Sequence, residues 1–325
     1  MGSDQRSRLL LAQLRAIVGA SDLVGDSFPS GATLIDEVSG RGWVLIENAT
    51  ERSLGGALLW AVRADLSSLE LIVSSTDLDI ARALARKATN FVRPIGVSTV
   101  VGARSEQVAP SPVSSSMVPE TPPVLADLLA AEHCELVVEH GIARGEYLGL
   151  ELARIVAVGE ADLKLEVGVG RFDREMAAMM YAELDARASL ATVAAEVRRR
   201  RVRGGERHPL MDLCRERWLR TEVVNHPELV GCDELQLVET TMDRPNLLDA
   251  HPAMAIERTG QAATLVCCTV GIDIDAVVMA ADVAETNGVS RIVVCSPTTL
   301  PLSVQAIGNW MAITPTFVEV APPWV

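Results

Sequence analysis

The apolar residues of the chain recur with two periods, one typical of helices and one typical of strands. In residues 4–19 they follow helical spacing up to Gly19, a residue type that often ends a helix. Residues 32–48 contain two short apolar runs typical of a β-hairpin, and residues 53–102 then alternate helix, strand, helix and strand. This order predicts an N-terminal α/β domain over 1–103 that ends in a β-α-β crossover.

The periodic pattern stops between residues 104 and 123. Five prolines and five serines fall in this stretch, and such a composition favours an extended, partly stiff chain. We therefore predict a linker over 104–123, followed by a C-terminal α/β domain over 124–325.

The C-terminal domain has three sections. Residues 124–184 follow the order helix, strand, strand, strand, helix; residues 185–225 are helical and rich in Arg; residues 234–325 alternate strand and helix. The whole chain is thus predicted to be an α/β protein of two lobes, in which helices flank mixed sheets. We expect a β-α-β crossover near the end of each lobe and a central β-hairpin at about 145–169.

Two segments share one internal pattern. Residues 71–85 and 265–281 each contain a buried strand, a Thr, and then Asp-aliphatic-Asp at the start of a helix. A duplicated β-α-β element would explain the similarity, and so would two independent crossovers of similar composition.

The central hairpin carries alternating polar residues on its second strand. Asp162, Lys164 and Glu166 are expected on one face of the sheet, and the aliphatic residues between them on the other. The turn length decides which residues they meet. A three-residue turn over 159–161 places Arg154 opposite Glu166, whereas a two-residue turn places Lys164 and Glu166 on the face of Glu151.

Composition and charge narrow the function classes. The chain has 325 residues, is 49% hydrophobic and carries a net charge of -14, which disfavours non-specific adhesion to nucleic acid or anionic membranes. Its six cysteines lack C-x-x-C spacing, which indicates reduced, buried thiols in a cytoplasmic protein. No apolar run is long enough to span a membrane, so we expect no membrane partner.

Residues 196–222 reverse the local charge, because nine Arg stand there against five acids. Guanidinium groups suit phosphate, so nucleic acid or a phosphorylated ligand is a candidate partner of residues 198–220. The candidate phosphate-binding residues are Arg199, Arg201, Arg203 and Arg207. The alternative is a solvated helix face whose Arg residues pair with the chain's own carboxylates.

Residues 124–184 resemble the core of the restriction-endonuclease-like, PD-(D/E)XK superfamily in element order and in the rhythm of Gly145-Glu146 followed by LKLEVG. That resemblance implies acids from neighbouring strands that hold Mg²⁺, and a Lys on the same face that helps to activate water. The candidate catalytic residues are Glu146, Glu151, Asp162, Lys164 and Glu166. Of these, Asp162 and Glu151 would hold the metal.

The superfamily pattern is incomplete in this chain. Leu148 stands where an Asp of the second strand would follow Gly145-Glu146, and Gly168 stands where a Lys would follow Glu166. A shifted interpretation uses Asp162 to Lys164 as the motif D-x-K. The alternative is a polar ladder that faces solvent and has no catalytic role.

Three longer segments are similar to a protein family of high-GC, actinobacterial-type bacteria. They are LGGALLWAVR (54–63), LEVGVGRFDRE (165–175) and HPLMDLCRERWLR (208–220). This resemblance implies no particular activity. We therefore expect a non-catalytic binding or regulatory protein with a lapsed nuclease-like core and no cofactor. The alternative is an Mg²⁺-dependent nuclease or other phosphodiester hydrolase that uses the 146–166 hairpin.

Overall fold

The computed structural model describes residues 3–29, 31–113, 120–158, 162–180, 185–244, 246–258 and 263–325. It is an α/β fold in which helices flank three mixed or antiparallel sheets, as the sequence predicts. The chain divides into two compact units, one formed by Met1–Val113, Ile274–Ile292 and Leu300–Thr316 and the other by Ser114–Asp273, Val293–Thr299 and Phe317–Val325. Within the described ranges, no helix combines the length and the apolar character needed to cross a membrane.

The α-helices are α1 (Ser3–Val18), α2 (Ser53–Arg63), α3 (Leu78–Ala88), α4 (Pro123–Ala131), α5 (Gly170–Met180), α6 (Ala186–Arg200), α7 (Pro209–Asp212), α8 (Arg215–Asn225), α9 (Asp275–Asn287) and α10 (Leu302–Gly308). The strands are β1 (Val24–Phe28), β2 (Gly31–Asp36), β3 (Arg41–Ile46), β4 (Ser68–Val73), β5 (Ile95–Val101), β6 (Arg104–Gln107), β7 (Glu135–Glu139), β8 (Ile142–Tyr147), β9 (Leu150–Val158), β10 (Asp162–Val167), β11 (Gln236–Val238), β12 (Ala253–Glu257), β13 (Thr264–Cys268), β14 (Arg291–Ser296) and β15 (Thr316–Glu319).

The first unit contains a six-stranded sheet of order β1-β2-β3-β4-β5-β6. Strands β3, β4 and β5 run parallel, because α2 and α3 return the chain to the same end of the sheet after each strand. The amphipathic α1 buries Leu10 and Leu14 against Leu34 and Ile72. The predicted hairpin and the predicted crossover are both confirmed in this sheet.

The sheet extends further along the chain than the sequence predicts. Residues 104–107, expected at the start of the linker, form β6 and pair antiparallel with β5. Residues 114–119 of the predicted linker lie outside the described residues. The compact units also differ from the predicted division into 1–103 and 124–325, because two later segments of the chain belong to the first unit. Sequence patterns report on residues that are close along the chain, whereas the compact units are defined by packing between distant segments.

The second unit contains an antiparallel sheet of order β10-β9-β8-β7. One face packs Leu152, Ile155 and Leu165 against Leu190 of α6 and Leu129 of α4. The section over 124–184 therefore has four strands, and the prediction of three is wrong. The additional strand arises because a turn at 148–149 separates β8 from β9 inside the segment predicted as the central hairpin, 145–169.

The turn between β8 and β9 has a specific geometry. Leu148 and Gly149 both have positive φ, 47° and 75°, as a two-residue type I′ turn requires. A Cβ at position 149 would lie 2.4 Å from the carbonyl carbon of Arg217, so only glycine fits. The carbonyl of Leu148 accepts two hydrogen bonds from Arg201, which hold the unusual leucine conformation in place.

The five-stranded sheet has the order β11-β12-β13-β14-β15 and a core of Val266, Cys268, Val293 and Cys295. The order of strands and helices along the chain is the same as from β1 to β5, and α9 and α10 take the places of α2 and α3. Residues 265–281 therefore correspond to β3 and α2, and not to 71–85 as the sequence similarity suggested.

Reciprocal hydrogen bonds within the first unit support this correspondence. The amide of Val92 donates to the carbonyl of Trp310 at 2.8 Å, and the amide of Ala312 donates to the carbonyl of Asn90 at 2.9 Å. Asn90 and Val92 lie between α3 and β5, and Trp310 and Ala312 lie at the equivalent place between α10 and β15. We conclude that the two α/β regions repeat one arrangement.

Candidate anion-binding cleft

A cleft of about 790 Å³ lies in the second unit, along the polar face and one edge of the β7–β10 sheet. This volume suits a small organic ligand or a short peptide. Its charged lining consists of Arg144, Arg154, Arg171, Arg174, Arg217, Arg244 and Lys164, together with Glu139, Glu151, Glu166, Glu175 and Asp243. Seven cations thus face five carboxylates, in a chain whose net charge is -14. The cleft has the opposite sign to the protein as a whole.

A β-bulge gathers these side chains on one face. Gly145 pairs with Ala153, but Glu146 pairs with Glu151, so Leu152 is an extra residue in β9. Leu152 and Ala153 are both buried in the apolar core. The extra residue shifts the alternation of side chains, and Glu151 comes to the same face as Arg154.

The register of the hairpin places β10 on this face as well. Glu166 pairs with Arg154 and Lys164 pairs with Val156, which is the register expected from a three-residue turn, one of the two turn lengths that the sequence leaves open. Residues 159–161 themselves lie outside the described residues. The sequence interpretation held that this register would separate Lys164 and Glu166 from Glu151. That conclusion is wrong, because the bulge at Leu152 restores the shared face.

The sheet face carries two ion-pair groups. Arg144 donates to Glu151 at 3.0 Å, and Arg174 of α5 donates to the other oxygen of Glu151 at 2.5 Å. Arg154 donates through two nitrogens to Glu166, each at 3.0 Å. Each carboxylate is therefore already held by a guanidinium group.

Positive charge remains in excess on this face. Arg144 and Arg154 lie directly opposite each other on neighbouring strands, an arrangement of like charges that is unfavourable by itself. Burial lowers the pKa of Arg174; Glu151 and Glu166 oppose this shift, and Arg154 and Arg144 add to it. The Nε of Arg174 is buried and has no hydrogen-bond partner in the described part of the chain. With Lys164, four cations stand against the carboxylates of Glu151 and Glu166, so an added anion would relieve this repulsion.

A buried network lies where α8 meets the sheet. Arg217 bonds to both Glu139 and Glu146, and Arg220 donates to the same two carboxylates at 3.0 and 3.4 Å. Burial opposes ionisation of Glu139, but Arg217 and Arg220 outweigh it and lower its pKa to about 2. For Glu146 burial prevails and raises the pKa. These four residues fix α8 on the sheet.

The inner end of the cleft contains Cys214 and Arg244. Arg244 Nη1 donates to the Sγ of Cys214 at 2.8 Å, and Nη2 donates to the carbonyl of His251 at 3.1 Å. Cys214 precedes α8 in a left-handed conformation, with φ of 49°. Burial raises the pKa of Cys214 despite Arg244, so the thiol stays protonated and is a poor nucleophile.

The five predicted catalytic residues are only partly brought together. Glu151, Lys164 and Glu166 line the cleft. Glu146 is buried beneath it in the ion-pair network, and Asp162 is exposed at the start of β10, opposite Val158. The predicted metal ligands do not fit a metal site, since Glu151 is bonded to two Arg. Across the described ranges, no group of three His, Cys, Asp or Glu side chains could hold a metal ion.

The predicted phosphate-binding Arg residues have other partners. Arg201 is fully buried and donates to the carbonyls of Leu148, Leu210, Leu213 and Cys214. Its guanidinium also stacks 4.4 Å from the ring of Trp218. Arg201 is thus a structural residue, which corrects its assignment as a phosphate ligand.

The three other candidates lie on the surface. Arg199 pairs with Glu196 in its own helix, and Arg203 pairs with Glu222 at 2.5 Å. Arg207 is exposed and forms no ion pair with any described residue. Most of these Arg residues therefore pair with the chain's own carboxylates, as the alternative interpretation of this segment expects.

Sequence reasoning missed Arg144, Arg174 and Arg244 as site residues. The only local signal for Arg144 is the polar alternation of β8, and the bulge at Leu152 of the neighbouring β9 interrupts the pattern that would link it to Glu151. Arg174 comes from α5, and Arg244 comes from an irregular segment 30 residues after Cys214. No spacing rule links these positions.

Comparison with protein-family models, with curated proteins and with solved structures found no match for this chain. The resemblances to the nuclease superfamily and to the bacterial family therefore stay predictions. The geometry of the cleft itself is the basis for assigning a function.

Proposed function

We propose that this chain is a non-catalytic binding protein whose cleft takes an anionic ligand. The excess of cations on the polar sheet face carries the proposal. Arg144, Arg154, Arg174 and Lys164 outnumber the two carboxylates there, and Lys164 forms no ion pair with any described residue. Such an excess costs stability through repulsion, and a bound anion would recover that free energy.

Phosphate and carboxylate are the groups that this lining would recognise. Guanidinium groups donate to both in bidentate geometry, and a partly buried site strengthens each bond relative to water. The exposed Lys164 and the half-buried Arg154 are accessible to a ligand, whereas Arg174, whose Nε is buried, would contribute its positive charge.

Binding is favoured over catalysis by the state of the acids and of the thiol. Glu146 and Glu151 are each bonded to two Arg, and the raised pKa of Cys214 keeps its sulfur protonated. A metal-dependent hydrolase needs free carboxylates that hold the ion, and a cysteine hydrolase needs a thiolate. The nuclease alternative would have to break ion pairs before it could use these acids.

Titration calorimetry with inorganic pyrophosphate and with citrate, at about 50 mM salt, tests the proposal. We expect binding that weakens as salt rises, because ions screen the attraction. Lys164→Gln should weaken it roughly fivefold and Arg174→Gln roughly tenfold, as expected for the loss of a positive charge from a partly buried site.

Arg199→Gln is the matched control, since it removes one positive charge from the same unit outside the cleft. Equal weakening in this control and in Lys164→Gln would indicate a general charge effect and would contradict the cleft. Absence of binding for both anions would contradict the proposal itself. Incubation with plasmid DNA and Mg²⁺ tests the nuclease alternative. That alternative requires that the parent protein cleave the DNA and that Lys164→Ala abolish the cleavage.

A further inference from the structure

The cleft follows the edge of strand β10. Lys164, Leu165, Glu166 and Val167 are consecutive, and all four line it. Side chains of a strand point alternately to opposite faces of the sheet, so a cavity on one face would touch only every second residue. The cleft is also lined by Ala186 of α6, which packs against the apolar face, so a cavity that touches both Lys164 and Ala186 passes the edge of β10.

This edge carries no strand partner in the described part of the chain. The sheet order is β10-β9-β8-β7, so β10 pairs with β9 on one side and is terminal on the other. An unpaired edge presents backbone N–H and C=O groups that can accept another strand. Here the edge is not blunted by Pro, and its strand has the ordinary length of six residues.

The surroundings of the edge specify the side chains of an added strand. On the polar face stand the exposed Lys164 and the excess of guanidinium groups, with Arg171 of α5 as a further cation. On the opposite face, Leu163, Leu165 and Val167 belong to the apolar core. A strand laid along β10 would therefore place alternate residues beside cations and beside aliphatic side chains.

We infer that the cleft binds an extended acidic polypeptide segment, which adds to the sheet as a strand along the free edge of β10. This inference rests on the proposed anion-binding function and names its ligand class. Charge complementarity selects the occupant, because the cleft is positive within a chain of net charge -14. Backbone pairing would supply affinity, and alternating acidic and aliphatic side chains would supply specificity.

The experiment uses the full chain and a fluorescent peptide of about eight residues that alternates Glu and Val, long enough to cover β10. Two further peptides carry N-methyl groups on alternate residues, one set on the even positions and the other on the odd positions. Each modification blocks hydrogen bonding along one edge of the peptide and leaves every side-chain charge unchanged. Affinity is measured by fluorescence anisotropy.

We expect one N-methylated peptide to bind at least about tenfold more weakly than the parent, and the other within about twofold, since only one edge faces β10. Hydrogen exchange should slow at β10 amides when the parent peptide binds. Lys164→Glu should weaken the parent at least about tenfold through charge reversal, whereas Arg199→Glu should leave it unchanged.

Equal affinity of all three peptides would overturn strand addition, because charge alone would then explain binding. Concentration-dependent dimerisation of the free chain that protects β10 amides would also overturn it, since the occupant would be a second copy. Pyrophosphate binding, measured on the same samples, distinguishes failure of strand addition from failure of the proposed anion binding. If pyrophosphate binds and the peptide does not, the inference fails while the proposed function stands.

Discussion

Arg201 and Arg154 carry the same guanidinium group in very different surroundings. Arg201, in the segment with the highest density of Arg, is fully buried, and four backbone carbonyls accept its hydrogen bonds. Arg154, in the cleft, keeps 32% of its side chain exposed and lies opposite another Arg. The first arrangement consumes the hydrogen-bonding capacity of the side chain, and the second leaves charge available. Local density of Arg is therefore a poor guide to anion binding.

The carboxylates explain why the two regions differ. In the Arg-rich segment, the surface residues Arg199, Arg200 and Arg203 pair with Glu196 and Glu222. On the sheet face of the cleft, four cations share only two carboxylates. Surface pairs contribute little to stability, whereas an unbalanced and partly buried charge creates affinity for a ligand. Five substitutions, each with its own predicted effect, test this comparison.

Arg201→Ala should have the largest effect. Four buried carbonyls would lose their donor, and the turn at Leu148 would lose its support. We expect a loss of about 4 kcal/mol in the free energy of unfolding, measured by urea denaturation, because unsatisfied buried groups are costly. Arg201→Lys should recover only part of this loss, since an ammonium group cannot reach all four acceptors. Unchanged stability in Arg201→Ala would contradict the structural role of Arg201.

Glu139→Gln should have the second-largest effect, a loss of about 3 kcal/mol in the free energy of unfolding. The substitution leaves Arg217 and Arg220 without one of their two buried carboxylates. The effect should depend on pH. The folded-state pKa of about 2 lies below the ordinary value of 4.5, so the stabilisation is complete above pH 4.5 and is lost as the pH falls through 2. Unfolding curves of both proteins should therefore converge on acidification.

Glu146→Gln is the matched control for Glu139→Gln. Its pKa is raised by burial, which means that the folded protein accepts the neutral form of this side chain more readily. We expect a smaller loss of stability than for Glu139→Gln at neutral pH. An equal loss would show that the two carboxylates stabilise the network evenly, and a larger loss would show that Glu146 contributes more.

Arg154→Gln should affect binding more than folding. Glu166 would lose its partner, but both side chains are about one-third exposed, so the expected loss of stability is under about 1 kcal/mol. Pyrophosphate affinity should fall by roughly tenfold, as for one lost charge-assisted contact. Calorimetry and urea denaturation on the same variant separate the two effects. Unchanged affinity would exclude Arg154 from the site.

Arg199→Gln should have the smallest effect, within about 0.5 kcal/mol of the parent protein, since an exposed pair along a helix contributes little. Binding of pyrophosphate should also be unchanged. A loss of affinity equal to that of Arg154→Gln would mean that the Arg-rich segment binds anions after all. In that case the Arg-rich segment and the cleft would not differ in anion binding, which would contradict the comparison.

The sequence by itself determined most of the secondary structure. The hairpin of β2 and β3 and the crossover helices α2 and α3 follow from the period of apolar residues. These features depend on neighbours within a few residues along the chain, which is the range over which periodicity carries information. The register of Glu166 against Arg154 is one of the two that the sequence allows, and the structure decides between them.

Only the tertiary structure decided which polar residues meet. The bulge at Leu152 reverses the alternation of β9, and no residue type in the sequence marks it. The burial of Arg201, the pairing of Arg244 with Cys214, and the placement of Arg174 over Glu151 join positions 9 to 53 residues apart. Such contacts depend on how whole elements pack, and a buried Arg and an exposed Arg are the same letter in the sequence. The physical reason is that burial and charge balance are properties of the folded surface, which local pattern does not specify.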